Sequence, residues 1–299
     1  MTTSSLHLEL RQLRYFVAVA DEMHFGRAAQ KLNMTQPPLS QAIQALEENL
    51  GTTLFIRSTR KITLSAAGVA LLPEARRLLQ QAAALPALAR RAASGHIGHI
   101  NIAFVSIADY SVLPPFLRHF HEQHPDVQLS LKEATSDIQL ALLQAGEIDV
   151  GFLIPPIPSS LVTTLHYRKL LREPLVLATP SNWQRAHPQK LSSYKESPLI
   201  LFPRAIAPAL HDLILGCFRQ QGLTPSIGQE AIQMQTIIAL VSAGMGIALV
   251  PQSVSNLQRP GVAYHALPDV SAQVEIGVAW RQDSTSPALT QFLKLLQSG

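Results

Sequence analysis

The chain has 299 residues, 47% of them hydrophobic and only 15% charged, a composition that excludes a disordered chain and leaves room for more than one core. Its 24 Lys and Arg against 20 Asp and Glu give a net charge of +4. The single Cys217 excludes an internal disulfide, the opening residues carry no secretory signal, and the longest apolar stretch, 237–251, is interrupted by Ser242, Gly244 and Gly246, so a soluble cytoplasmic protein with no membrane partner is expected.

Residues 25–50 have the build of a helix-turn-helix. Ala28, Ala29 and Leu32 give a first helix a close-packing side, and Asn33-Met34 supplies the turn. In the second helix Leu39, Ile43, Leu46 and Leu50 recur at helical spacing and point inward, leaving Gln36, Ser40, Gln41 and Gln44 outward. Thr35 is the expected N-cap, Pro37 and Pro38 fall in the first turn, and the free N–H groups of the blunt N-terminus are expected to favour phosphate. A basic strand over 55–64, with Arg57, Arg60 and Lys61, completes a winged helix-turn-helix. The bland alternative is a two-helix hairpin with a polar side.

Charge distribution argues against that alternative. Residues 1–95 hold 11 Lys and Arg against 6 Asp and Glu, a net of +5; the remaining 13 basic and 14 acidic residues net −1. All of the positive excess therefore lies with the motif, as phosphate binding requires.

Residues 66–93 are rich in Ala, Leu, Arg and Gln and predict one long helix. In heptads, Ala75, Ala82 and Ala89 fall at one seam position and Leu71, Leu78 and Leu85 at the other, a pattern that suits a paired helix and hence a dimer, or else packing on its own domain. Pro86 predicts a bend or an early end. Residues 94–98 form a hinge.

From there short apolar strands alternate with amphipathic helices. Strands are predicted at 100–105, 127–132 and 149–154 with helices at 112–124 and 138–145, an order that implies a mostly parallel sheet. A second set has strands at 175–178, 199–202 and 247–250 and helices at 209–221 and 235–243, and a strand at 274–280 and a helix at 288–296 finish the chain. Two α/β lobes create a cleft outside the carboxyl ends of strands.

Over residues 8–297 the chain resembles a LysR-type transcriptional regulator. The resemblance rests on Leu10-Arg11-Gln12-Leu13-Arg14-Tyr15-Phe16, Ala28-Ala29-x-x-Leu32, Gln36-Pro37-Pro38-Leu39-Ser40, Leu46-Glu47-x-x-Leu50-Gly51, Leu54-Phe55-x-Arg57 and Leu64-Ser65-x-Ala67-Gly68. Further along, Glu147-Ile148-Asp149-Val150-Gly151-Phe152, Glu173-Pro174-Leu175 and Leu240-Val241-x-Ala243-Gly244-x-Gly246 support it, and the Pro37-Pro38 pair resembles the branch controlling catabolism of aromatic compounds and small acids.

The resemblance implies an α+β multidomain chain: a winged helix-turn-helix (8–65), a linker helix and hinge (66–95), and a two-lobed α/β effector domain of periplasmic-binding-protein type (96–299; lobe I about 98–168 and 270–299, lobe II about 169–269). It implies a homodimer or homotetramer on a partly palindromic operator in double-stranded DNA, a small-molecule inducer, and RNA polymerase as a further partner. Arg27, Thr35, Gln36, Pro37, Pro38, Ser40, Gln41 and Gln44 are the candidate groove residues, with Gln36, Ser40 and Gln41 reading bases and Arg57, Arg60 and Lys61 holding the backbone. The linker contributes Leu71, Ala75, Leu78, Ala82 and Leu85 to dimerisation. Ser106, Ile107, Thr135, Ser136, Phe202, Pro203, Arg204 and Gln233 are the candidate effector residues, whose hydroxyls and helix N-termini suit a carboxylate.

After Gly151 the stretch Phe152-Leu153-Ile154-Pro155-Pro156 lacks an arginine that some relatives place near Ile154, which argues against a dicarboxylate and leaves Arg204 as the candidate counter-charge. His119, His121 and His124 beside Glu122 are read as a mostly solvated helix side rather than a metal site. There is no glycine-rich phosphate loop, nucleophile elbow or His-Glu-x-x-His run, so neither a cofactor nor an enzyme is expected. A solute-binding protein would account for the α/β half alone.

Overall fold

The computed structural model describes residues 8–57, 61–183 and 190–298. Two compact units make up the chain, Met1–Arg90 and Arg91–Gly299.

In the first unit, α1 (Leu10–Glu22) starts at a capping box in which Glu9 and Gln12 each accept the other's backbone N–H, and it stops where Met23 turns left-handed. The short α2 (Phe25–Lys31) is capped by His24, whose ring nitrogen accepts the Arg27 N–H, and α3 (Gln36–Leu50) ends at Gly51 with φ +65°. Leu13, Phe16, Val19, Ala28, Leu39, Ile43 and Leu46 are fully buried between these three helices. The expected basic strand over 55–64 is instead a hairpin. Strands β1 (Phe55–Arg57) and β2 (Ile62–Leu64) pair antiparallel, Phe55 opposite Leu64, and Phe55 packs its ring 5.5 Å from Phe16.

Helix α4 (Ala66–Ala93) runs 28 residues with Pro73 and Pro86 inside it. The early end expected at Pro86 does not occur, since one proline removes one hydrogen bond while Ala-, Leu- and Arg-rich flanks retain theirs. Two of the five residues predicted for the dimer seam are already used by their own chain. Ala75 is fully buried and Leu71 half-buried against the three-helix core, whereas Leu78 and Leu85 are 40% and 59% exposed.

The second unit begins with β3 (Gly98–Phe104), the short α5 (Ser106–Asp109), α6 (Leu113–Gln123), β4 (Val127–Glu133), α7 (Ser136–Ala145) and β5 (Val150–Leu153). Strand β3 lies parallel to both β4 and β5. There follow β6 (Leu165–Pro180), β7 (Leu199–Leu201), α8 (Pro208–Arg219), β8 (Ile227–Glu230), α9 (Met234–Ser242), β9 (Ala248–Pro251), β10 (Val262–His265), β11 (Gln273–Arg281) and α10 (Pro287–Ser298).

The mostly parallel sheet expected from strand–helix alternation holds only for β4–β3–β5 and for the β7–β8 pair. Strand β11 is antiparallel to β5 and β6, and β6 is antiparallel to β9 and β10. The cause is β6, 16 residues long. Its first part, through Pro174, pairs with β11; from Leu175 onward it pairs with β9 and β10. One strand thus serves both lobes, and β11 with α10 returns the chain to lobe I, where Phe292 packs edge-on against Phe116 and Phe120 at 4.7 and 5.1 Å. Only 175–178 of β6 reads as strand in the sequence, because its first half carries Arg168, Lys169, Arg172, Glu173 and Pro174. Strands β8 and β10 and helix α5 also escaped the sequence reading; each is only four residues long.

At the change of partners the buried Glu173 carboxylate accepts the Ser253 N–H at 2.6 Å and its hydroxyl at 2.9 Å, tying β6 to the 3-10 turn after β9. Burial pushes this carboxyl above the usual range, against the lowering effect of both Ser253 bonds. A raised folded pKa means the folded state holds the proton longer, so this group's contribution is fully present below the unfolded value and is lost as pH rises through the folded one. Glu173→Gln keeps an acceptor for the Ser253 N–H and is expected to flatten the decline in stability across that window. Urea unfolding at a series of pH values checks this; an unchanged slope would contradict it.

Candidate functional site

Two regions gather the polar groups singled out by the sequence. On the first unit, Gln36, Pro37, Pro38, Gln41 and Gln44 are exposed along α3 and Ser40 is half-buried, opposite the buried Leu39, Ile43 and Leu46. Thr35 occupies the N-cap, but its hydroxyl makes no capping bond. Of the first four positions, Pro37 and Pro38 have no N–H, so Thr35 and Gln36 supply the only free backbone donors. The electropositive end expected here is therefore narrower, and α3 depends more on its side-chain amides.

Glu47 connects α3 to the wing. One carboxylate oxygen accepts the Leu54 and Phe55 N–H groups at 2.7 and 3.1 Å, and the other lies 3.7 Å from the Arg57 guanidinium. Arg57 also sits 4.7 Å over the Phe25 ring, held in place yet still 45% exposed. Lys61 is exposed at the entrance to β2. Arg60 lies outside the described residues. Arg27 is committed differently from the expectation: its guanidinium donates to the Glu22 carbonyl at 2.6 Å and lies 3.5 Å from the Glu22 carboxylate, closing the end of α1.

In the second unit a cavity of about 630 Å³ opens between the lobes. Lobe I lines it with Ser106 and Ile107 at the start of α5, with residues 133–138 and Leu140 around the start of α7, and with Ile154, Pro155, Pro156 and Pro158. Lobe II adds Phe202, residues 206–210, Asp212, Ile232 and Gln233. Thr135, Ala207 and Gln233 stand at the N-caps of α7, α8 and α9, and none of these helices has a side-chain cap. Ser136 accepts the Ile154 N–H at 3.0 Å, which leaves its own proton to donate, and the Thr135 hydroxyl donates to Asp137.

Six of the eight candidate effector residues line the cavity; Pro203 and Arg204 do not. Arg204 is exposed and bonds both oxygens of Asp212 at 2.8 Å, so it neutralises a carboxylate of the wall instead of meeting a ligand. That bond holds the Asp212 carboxyl down to about 2, a full anion at neutral pH. The sequence reading missed Asp212, which lay inside a predicted helix, and two apolar lips, Ile138 and Ile232, which are 47% and 60% exposed although they line the cavity. Large apolar side chains left in water at a cavity mouth are the signal, and only burial shows it.

The histidine group divides. His119 and His121 are exposed, but His124 is buried, stacked on Phe120 at 4.8 Å and 5.5 Å from His96. Burial, and to a lesser extent His96, pushes its imidazole below the ordinary value. Among the described residues no three His, Cys, Asp or Glu stand where they could hold a metal ion, and no helix is long and apolar enough to cross a membrane.

Removing the wing anchor should be measurable. Glu47→Ala leaves two N–H groups without their acceptor and is expected to cost about 1–3 kcal/mol of the first unit's stability. Hydrogen exchange at the Leu54 and Phe55 amides should accelerate; unchanged protection there would exclude the anchoring role.

Comparison with known proteins matches both regions. Residues 93–299 match the LysR substrate binding domain, and residues 10–69 match the bacterial regulatory helix-turn-helix protein, lysR family. The chain is 49% identical to the HTH-type transcriptional regulator IlvR of Caulobacter vibrioides over 97% of each chain. It is 39% identical to the regulator AlsR of Bacillus subtilis over 96% of this chain and 95% of the relative. Among solved structures it resembles CbnR, a LysR family transcriptional regulator, with 33% identity and a TM-score of 0.79 over 97% of this chain and 100% of that one. Against full-length CbnR complexed with its target DNA the identity is 32% and the TM-score 0.81, over 97% of this chain and 99% of that one.

Proposed function

The chain belongs to the LysR family of DNA-binding transcriptional regulators, and from that premise we propose how its parts divide the work. Helix α3 lies in the major groove, where Gln36, Ser40, Gln41 and Gln44 meet base edges. Arg57 and Lys61, with Arg60 between them, hold the wing to the phosphates. Arg27 positions α2 against α1 rather than contacting DNA. The reading rests on one observation above all: an amide-rich, exposed α3 surface directly over a fully buried Leu39, Ile43 and Leu46 row.

The cavity between the lobes receives a small-molecule effector. Because α7 belongs to one lobe and α8 and α9 to the other, a ligand touching all three favours the closed arrangement and shifts that equilibrium by its differential affinity. The protein works in the cytoplasm as a homotetramer, a dimer of dimers on a partly palindromic operator, and closure alters the bend of the DNA and the encounter with RNA polymerase. Leu78, Ala82 and Leu85 form the part of the α4 seam left for a second copy. This is a switch, not an enzyme; a solute-binding protein would leave the basic helix-turn-helix without a role.

Ser40→Ala combined with Gln41→Ala is expected to weaken operator binding by about 1–3 kcal/mol for each base whose hydrogen bonds are removed, while sparing random DNA. Titration of both DNAs by fluorescence anisotropy checks it, and equal weakening on both would remove the base-reading role. Arg57→Ala should weaken both DNAs alike and reduce the salt slope by about one. Leu85→Asp places a charge in the seam and should dissociate the dimer in sedimentation runs; intact oligomers would assign the seam elsewhere.

A further inference from the structure

The walls of the cavity carry three chemistries at once. Ile107, Ile138, Ile154, Phe202, Ile206 and Ile232 make it predominantly apolar. Three helices of nine or more residues, α7, α8 and α9, begin at its wall without a side-chain cap, so positive helix ends converge there from both lobes; α7 and α9 bring free N–H groups, while α8 brings fewer, because Pro208 has none and the Ala207 N–H donates to the Pro203 carbonyl. Every charged side chain of the lining, by contrast, is an acid: Glu133, Asp137 and Asp212. Among the described residues no Lys, Arg or His lines it, and the nearby Arg204 is spent on Asp212. Glu133 and Asp137 make no ion pair among the described residues.

Resting on the reading of this cavity as the effector site, we propose that the effector is a zwitterionic α-amino acid with an apolar side chain. A simple carboxylate would meet the helix ends but would also meet the Glu133 carboxylate and that of Asp137, which accepts only the Thr135 hydroxyl and the start of its own helix, and a dianion would meet them twice over. A simple amine would leave the helix N–H groups unpaired in an apolar wall. An amino acid satisfies both sets. Its carboxylate takes the helix N–H groups and the free Ser136 proton, its ammonium takes Glu133 and Asp137, and its side chain displaces water from the isoleucine-rich wall. The two exposed lips, Ile138 and Ile232, close over that side chain as the lobes approach.

The test uses the full chain and isothermal titration with L-leucine and L-phenylalanine. Beside them run 4-methylpentanoate, which lacks the ammonium, and 3-methylbutylamine, which lacks the carboxylate. At least one amino acid should bind, and both single-charge analogues should bind at least about tenfold more weakly, the loss of one charged hydrogen-bonding group. Glu133→Gln with Asp137→Asn should lower amino-acid affinity by about the same factor and leave 4-methylpentanoate binding unchanged or tighter. Ile138→Trp with Ile232→Trp fills the mouth with residues that are already exposed, and should abolish binding of every ligand. If 4-methylpentanoate binds as tightly as L-leucine and the filled variant loses both, the amino-acid proposal is overturned while the cavity remains the effector site. If binding survives in the filled variant, the cavity reading itself falls. Failure of both amino acids to bind also overturns the proposal.

Discussion

Most of the second unit depends on a single strand changing partners partway along its length. Strand β6 gives its first ten residues to the sheet of β11, β5, β3 and β4 and its last six to β9 and β10. Two lobes joined only by flexible links could not hold helix ends opposite one another. Joined by a shared strand, they keep the start of α7 opposite the starts of α8 and α9. The exchange sits at Pro174, which has no N–H to give to a ladder, beside a carboxylate buried to hold the next turn. A strand interrupted there needs an external fastening, and Glu173 with Ser253 supplies it.

The first unit uses the same device at smaller scale. A hairpin of two three-residue strands is too short to stand by itself, so the wing borrows its order from α3 through Glu47 and from the aromatic cluster of Phe16, Phe25 and Phe55. Arg57 belongs to both systems, over the Phe25 ring and near Glu47, and still presents its donors to solvent. A cation held this way loses less freedom on meeting a phosphate than one on a free loop. Arg27 and Lys31, also basic and exposed, are both paired with Glu22 and serve α1 and α2 instead. Counting positive charges locates the DNA-facing end of the chain, but pairing decides which of them remain for DNA.

The cavity shows the same distinction between inventory and arrangement. Arg204 lies two residues after Phe202 and was the natural counter-charge for an acid, yet Asp212, one turn into α8, accepts both donors of its Nε–Nη2 edge. The positive character of the site comes from backbone N–H groups at helix starts, while its side-chain charge is negative. Such a mixture discriminates by the pattern of charge on the ligand rather than by its net charge.

What the sequence alone determined follows from local periodicity and composition. The apolar rows of α3 and α4, the basic excess before residue 96 and the strand–helix alternation after it are all properties of neighbours a few residues apart. They suffice for the winged helix-turn-helix, the long helix and a two-lobed α/β domain; the six cavity residues came from the family resemblance instead. Pairings between distant segments were decided by the tertiary structure: the antiparallel insertion of β11, the shared β6, the burial of Ala75 and His124, and the partners of Arg204 and Arg27. A side chain's charge and hydrogen-bonding capacity are written in its identity, but whether they are free to act depends on what the folded chain places within about 3 Å of it, the reach of a hydrogen bond.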